Sequence, residues 1–243
     1  MSAQVIQSNS TPFQSITVDP ITLDIIENAL RNARSEMDAV LFRTAMSPGI
    51  REQHDAFPMI ANHEGKMVVG QFGSFFWGFQ QGYDGTIEEG DVFLTNDPYS
   101  CNGAVSHLND WLMMMPIYID GRLVAWAAMF GHMTDIGGKV PGSLPTDAAQ
   151  VFEEGIQVPP VKIIRNGELN TEILELILRN CRLPDWNRSD FNALVAALRL
   201  AERRVLEMAN RFGVDELVVR SVGEPREAMI DLRTVRLIPI DKR

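Results

Sequence analysis

The sequence predicts an α+β fold, in which central antiparallel strands and hairpins are flanked by a long N-terminal and a long C-terminal helix. Three observations carry this. Apolar residues recur at helical spacing after Asp19-Pro20, and again between Ser189 and Gly213. Between them lie short apolar bursts broken by Gly, Asn and Asp, two of which are joined by Asp120-Gly121. Strands grouped in the middle, with helices at either end, are the pattern of α+β rather than of regular βαβ winding.

Residues 1–18 are rich in Ser, Gln and Thr and read as a flexible N-terminal arm. Asp19 is placed to cap a helix whose first position is Pro20. Leu23, Ile26, Leu30, Ala33, Met37, Val40 and Leu41 form its apolar stripe, and Ser47-Pro48-Gly49 ends it. The spacing then predicts strands over 57–61 and 66–69, turning at His63-Glu64-Gly65. Residues 70–85 hold five glycines and a run of aromatics. They are expected to form a loop packed by its own rings, with the lining of a flat substrate's pocket as the alternative. A buried strand follows at 92–95. A Pro/Gly-rich loop is expected over 139–146, a short strand after Pro159-Pro160, a turn at Asn166-Gly167 and a helix over 171–180. The long C-terminal helix is expected to open at Ser189 and to close at Gly213.

Bulk properties exclude several classes of function. A chain of 243 residues with 45% hydrophobic and 22% charged residues can build a substantial core. A formal net charge of −10 argues against nucleic acid or an anionic membrane as the main partner. Cys101 and Cys181 are far apart and lack CxxC partners, so neither a disulfide framework nor a zinc knuckle is implied. The N-terminus has no signal-peptide pattern and the apolar run 112–119 is too short to cross a bilayer, so a cytoplasmic location is expected. No phosphate-binding loop, nucleophile elbow or dinucleotide fingerprint is present.

The chemistry-bearing feature is a pair of segments, Ser106-His107-Leu108-Asn109-Asp110-Trp111 and Phe130-Gly131-His132-Met133-Thr134-Asp135. They flank the hairpin whose turn is Asp120-Gly121. Pairing Ile119 with Arg122 sets Asn109 opposite His132, with His107 diagonal to His132 at a backbone distance of about 7–8 Å. A continuing strand sends Asp110 to the other face, so residues 107–110 must curl into a turn. His107, Asp110 and His132 then converge as two imidazoles and one carboxylate, a donor set suited to Mn²⁺, Fe²⁺ or Zn²⁺. Asp135 is a candidate second carboxylate orienting His132. Asp97 is a further ligand candidate or the cap of the turn at Pro98, and with Asp135 it completes the candidate catalytic set. His54 is expected in a polar surface loop.

Several motifs recur in an order that resembles the hydantoinase B/oxoprolinase family. They are Asp19-Pro-Ile-Thr-Leu, Asn96-Asp-Pro-Tyr, His107-Leu-Asn-Asp110, His132 followed by Asp-Ile-Gly-Gly, Pro141-Gly-Ser, Glu153-Glu-Gly and Pro159-Pro-Val-Lys-Ile. The resemblance covers residues 19–213, taken as one metal-binding domain. It implies that a separate A-type subunit uses ATP and Mg²⁺ to activate the substrate, while this B-type chain carries a divalent metal on His107, Asp110 and His132. The implied reaction is hydrolysis of a cyclic amide (hydantoin or 5-oxoproline type). The alternatives are a subunit of an ATP-dependent ketone carboxylase of the acetone or acetophenone type and a non-catalytic assembly subunit. Residues 214–243 depart from the family's continuation and are set apart as a divergent tail. A partner chain supplying the family's C-terminal half is therefore expected.

Overall fold

In the computed structural model, residues 19–71 and 75–214 are described. The N-terminal arm and all but the first residue of the expected tail lie outside them. The chain runs α1 (Pro20–Thr44), α2 (Pro48–Arg51), β1 (Ala56–Asn62), β2 (Met67–Val69), α3 (Phe76–Gly82), β3 (Val92–Thr95), β4 (Asp110–Ile119), β5 (Arg122–His132), β6 (Val161–Arg165), β7 (Glu168–Leu169), α4 (Thr171–Arg179) and α5 (Pro184–Phe212). Among the described residues the strands form one seven-stranded sheet, in the order β2-β1-β5-β4-β3-β6-β7. Every neighbouring pair is antiparallel. The expected α+β class is what the chain adopts.

The sheet is buried on both faces, which explains why β4 and β5 are continuously apolar rather than alternating. Trp111, Met113, Met115 and Ile117 point to one face, where they pack in the same core as Ile26, Leu30 and Met37 of α1 and Leu194, Leu198 and Ala201 of α5. Leu112 and Met114 point to the other, joining Met59, Phe93 and Trp126 beneath Phe75, Phe76 and Phe79. Each apolar side chain removed from water contributes roughly 1.5–3 kcal/mol, so the central hairpin anchors both layers. Pro116 is tolerated in this central strand because β3 pairs only with residues 112–114 of β4 and has ended before it.

Local signals account for most element ends. The Asp19 carboxylate accepts hydrogen bonds from the Ile21 and Thr22 amides at 3.0 and 3.1 Å, capping α1 as expected. Asp120 and Gly121 have φ of 51° and 72°, and Asn166 and Gly167 have 49° and 85°, the left-handed pairs that two-residue hairpin turns need.

Three expectations need correction. Ser47-Pro48-Gly49 ends α1 but also starts a further helical turn, α2, with proline at its first position. The aromatic segment is not a loop throughout, because residues 76–82 are helical. Phe76 and Phe79, three apart, bury against the sheet, while Gly78 and Gly82, four apart, let the helix rest on the carbonyls of Cys101 and Ser100. The glycines read as breakers are thus a contact surface. Finally, α5 opens at Pro184, five residues before Ser189, because proline pre-sets the first-turn φ without a side-chain cap.

A buried polar link ties α5 to the front of the molecule. The Asp190 carboxylate, fully buried, accepts from the Met46 and Ser47 amides and from the Ser47 hydroxyl. Ser47 Oγ in turn accepts from the Thr134 amide at 3.0 Å.

Two outcomes follow for stability. Gly78→Ala forces a methyl group into the Cys101 carbonyl and is expected to cost about 1–3 kcal/mol. Ser47→Ala leaves the Thr134 amide without its acceptor and is expected to cost about 1–3 kcal/mol. Denaturant unfolding followed by circular dichroism measures both, and wild-type midpoints would contradict the packing described.

Candidate metal centre

The centre is built at one end of the sheet by the register of its longest hairpin. Near the Asp120-Gly121 turn, Ile119 pairs with Arg122 and Tyr118 with Leu123, as the sequence predicts. The register then shifts: Ile117 pairs with Ala125, and Val124 is left as the extra residue of a β-bulge. From there to the strand end, every pair is displaced by one. Asp110, not Asn109, is therefore opposite His132. Both residues fall on the same face as Leu112 and Phe130, the face away from α1 and α5.

The expected turn before the strand is present. The Asp110 amide donates to the His107 carbonyl at 3.3 Å, which folds His107 back towards Asp110. One potential ligand atom from each of His107, Asp110 and His132 lies within 4.8 Å of the others. Asp110 stands in the middle: Oδ1 is 3.2 Å from His132 Nδ1, and Oδ2 is 3.5 Å from His107 Nδ1. The two imidazoles meet edge-on, with ring centroids 5.1 Å apart. Asp110 is buried, whereas the His107 side chain is 37% exposed, so one side of the cluster opens to solvent.

These residues fit a divalent cation. His107 Nδ1 is buried and makes no hydrogen bond among the described residues, so one donor atom is left for a partner that the side chains do not supply. Two imidazoles and a carboxylate within this spread can close on one ion at bonds of about 2.0–2.2 Å. Three protein donors also leave coordination positions for water or substrate.

A fourth group was not foreseen. Asp55 immediately precedes β1, and its carbonyl accepts from the His132 amide at 3.1 Å. Its Oδ2 lies 3.6 Å from His132 Nδ1, and its side chain is 41% exposed. Asp55, His132 and Asp110 thus form a row across three neighbouring strand ends. The next row inward on this face is aromatic: Phe57 and Phe130 pack at 5.0 Å, and Phe75 meets Phe130 at 5.7 Å. The pairing of β1 with β5 creates the row, and no local sequence signal announces it. Gly49 of α2 closes the other side of the ring, since a Cβ there would sit 3.3 Å from His132 Cδ2. His54, beside Asp55, is exposed and stacks on Phe42 at 4.0 Å, in keeping with a surface loop.

The other two candidates take different places. Asp135 does not orient His132. Its Oδ1 accepts from the Gly137 and Arg182 amides, its Oδ2 accepts from the Gly142 amide, and both oxygens receive Arg182 Nη1. Burial pushes this carboxyl up, but these donors outweigh it and hold it below the usual carboxylate range. Asp97 is a turn cap, accepting from the Tyr99 amide, the Ser100 hydroxyl and the Gln157 amide group at 2.9, 2.6 and 2.7 Å. Burial raises its carboxyl too, and is again outweighed by hydrogen bonds from Ser100 and Gln157. Neither belongs to the His107, Asp110 and His132 group.

Comparison with known proteins agrees with the motifs. The family model for hydantoinase B/oxoprolinase matches residues 19–223. The caprolactamase subunit beta of Pseudomonas jessenii is 36% identical over 210 residues, covering 83% of this chain and 36% of the relative. The acetophenone carboxylase delta subunit of Aromatoleum aromaticum is 29% identical over 171 residues, covering 66% of this chain and 25% of the relative. The crystal structure of the ATP-dependent caprolactamase from Pseudomonas jessenii superposes with a TM-score of 0.73 at 31% identity, over 85% of this chain and 37% of that one. The chain spans little more than a third of the length of the caprolactamase relative. With its motifs, its fold and a match over most of its length in agreement, the chain belongs to the hydantoinase B/oxoprolinase family.

Proposed function

We propose that this chain is the metal-carrying subunit of an ATP-dependent cyclic-amide hydrolase. The convergence of His107, Asp110 and His132 at a half-open sheet end carries this reading. These three side chains would hold the ion, with Asp55 as the carboxylate on its solvent side. When bound, such an ion would supply Lewis acidity that polarises an oxygen and lowers the pKa of bound water. The protein's own residues do the positioning. Asp110, buried between the two rings, fixes their separation, and Gly49 limits how far the His132 ring can tilt. The aromatic row of Phe57, Phe130 and Phe75 excludes water from one flank of the cluster.

The choice of a cyclic amide rests on the relatives. Caprolactam is a lactam, and the caprolactamase subunit matches more of this chain at higher identity than the carboxylase subunit does. An A-type subunit using ATP and Mg²⁺ is the proposed partner, together with polypeptide corresponding to the rest of the longer relatives. A ketone carboxylase of the acetophenone type is the second reading, favoured by the match to that enzyme's delta subunit. A purely assembling role is the third, and it has no use for a buried imidazole nitrogen, His107 Nδ1, left without a hydrogen bond.

Metal content by plasma mass spectrometry is expected to be near one Mn, Fe or Zn per chain, and to be lost in His107→Ala and His132→Ala. Both variants are expected to keep the wild-type circular dichroism, because the two rings lie at the end of the sheet and outside both apolar cores. Full occupancy in either variant would overturn the site. With the A-type subunit and the remaining polypeptide supplied, ADP release is expected to depend on a lactam and to be indifferent to bicarbonate. ADP release that requires bicarbonate and a ketone would move the assignment to the carboxylase.

A further inference from the structure

The segment that follows His132 is organised around one cation, Arg182, in the link between α4 and α5. Its Nη1 lies within 3.2 Å of both Asp135 carboxylate oxygens and within 3.0 Å of the Gly137 and Val140 carbonyls. Its Nη2 donates to the Gly138 carbonyl at 2.5 Å. Five oxygens from residues 135–140 thus converge on one guanidinium. Gly137 and Gly138 take positive φ of 92° and 78° to turn their carbonyls inward. Oxygens turned towards one point repel one another, and the guanidinium charge offsets that repulsion.

The ring connects to the candidate ligands by an unbroken chain of hydrogen bonds. Asp135 Oδ2 accepts from the Gly142 amide at 2.8 Å, and the Gly142 carbonyl accepts from Asn109 Nδ2 at 3.3 Å. Asn109 Nδ2 also donates to the Met133 carbonyl at 2.9 Å, while the Met133 amide donates to the Asn109 carbonyl at 2.8 Å. Asn109 sits between His107 and Asp110, and Met133 follows His132. The turn carrying two ligands and the strand end carrying the third are therefore joined through Asn109, and the loop that holds Asn109 from beyond is held by Arg182.

We propose that Arg182 is the positioning residue of the metal centre. It acts through Asp135, Gly142 and Asn109 to fix the separation between the His107–Asp110 turn and His132. The inference rests on the metal reading above and assigns a role to the buried carboxylate, Asp135, that the metal cluster does not use. Lysine is a poor replacement here, because one ammonium cannot serve both the acceptors on Nη1 and the Gly138 carbonyl on Nη2.

The test is Mn²⁺ affinity of the full chain, read by electron paramagnetic resonance titration, with the absorption spectrum of the Co²⁺-loaded protein as a report of ligand geometry. Arg182→Ala is expected to weaken Mn²⁺ binding on the order of 10–100-fold, the scale for residues that orient metal ligands. It is also expected to alter the Co²⁺ spectrum. Ethylguanidinium at millimolar concentration, filling the vacated ring, is expected to restore both, whereas Arg182→Lys is expected to remain impaired. Asn109→Ala cuts the chain at its other end and is expected to show the same loss with no rescue. Hydrogen exchange at the Asp110 and Met133 amides gives an independent reading, with faster exchange expected in Arg182→Ala and recovery expected with ethylguanidinium. Wild-type Mn²⁺ affinity and spectrum in a folded Arg182→Ala, with only the melting temperature lowered, would show a merely structural residue and overturn the proposal. A wild-type chain that takes up neither metal would instead overturn the metal reading, and this role with it.

Discussion

The candidate site depends on one irregularity in strand pairing. Between the Asp120-Gly121 turn and the far end of the hairpin, the extra residue at Val124 moves the register of β4 against β5 by one. Because side chains alternate strictly along a strand, a one-residue slip exchanges every side chain between faces. With the bulge, Asp110 stands beside His132 on the face away from α1 and α5. Without it, the far half of β5 would turn over, leaving His132 opposite Asn109 on the helix side and Asp110 alone on the other face. The two apolar cores hold the bulge where it is, since Val124 and Ala125 both pack on the helix side while Trp126 turns to the aromatic side. Core packing and site geometry are therefore set by the same residue.

The remaining constraints come from outside the hairpin. Helix α5 reaches the site twice. Asp190 holds Ser47, and through it the Thr134 amide, while Asn187 donates to the Asp135 carbonyl at 2.7 Å. Helix α2 brings Gly49 against the His132 ring and receives the Asp55 amide on the Gly49 carbonyl. Two elements far apart in sequence thus converge on His132 and the residues that follow it. The motifs spread over the chain meet here: Asp-Ile-Gly-Gly supplies most of the oxygen ring, Pro-Gly-Ser braces it through the Gly142 amide and the Ser143 hydroxyl, and Asn-Asp-Pro-Tyr with the 157–158 segment supports the next strand end.

Much of this was legible in the sequence, for identifiable reasons. Asp-Gly and Asn-Gly turns, the Asp19-Pro20 cap and the helical stripes are local signals, and local signals located the hairpin, the flanking helices and the His107, Asp110 and His132 trio. Failures came where a distant partner decides. The bulge at Val124 answers to two opposed cores, so an ideal hairpin register missed it. Asp55 joins the row only through the pairing of β1 with β5. Asp135 follows His132 closely in sequence, and proximity pointed to a role in orienting that ring. The arginine that claims it lies 47 residues further on. In the 70–85 segment, glycine content signalled a loop, while two of those glycines serve helix packing.

The metal centre is defined by the identity of the donors around a bound ion. X-ray absorption at the zinc edge of the Zn²⁺-loaded chain reads them directly. Only nitrogen and oxygen neighbours at about 2.0–2.1 Å are expected, with the outer-shell scattering of two imidazoles. A first shell containing sulfur at about 2.3 Å, or one without imidazole scattering, would rule out His107, Asp110 and His132 as the donor set.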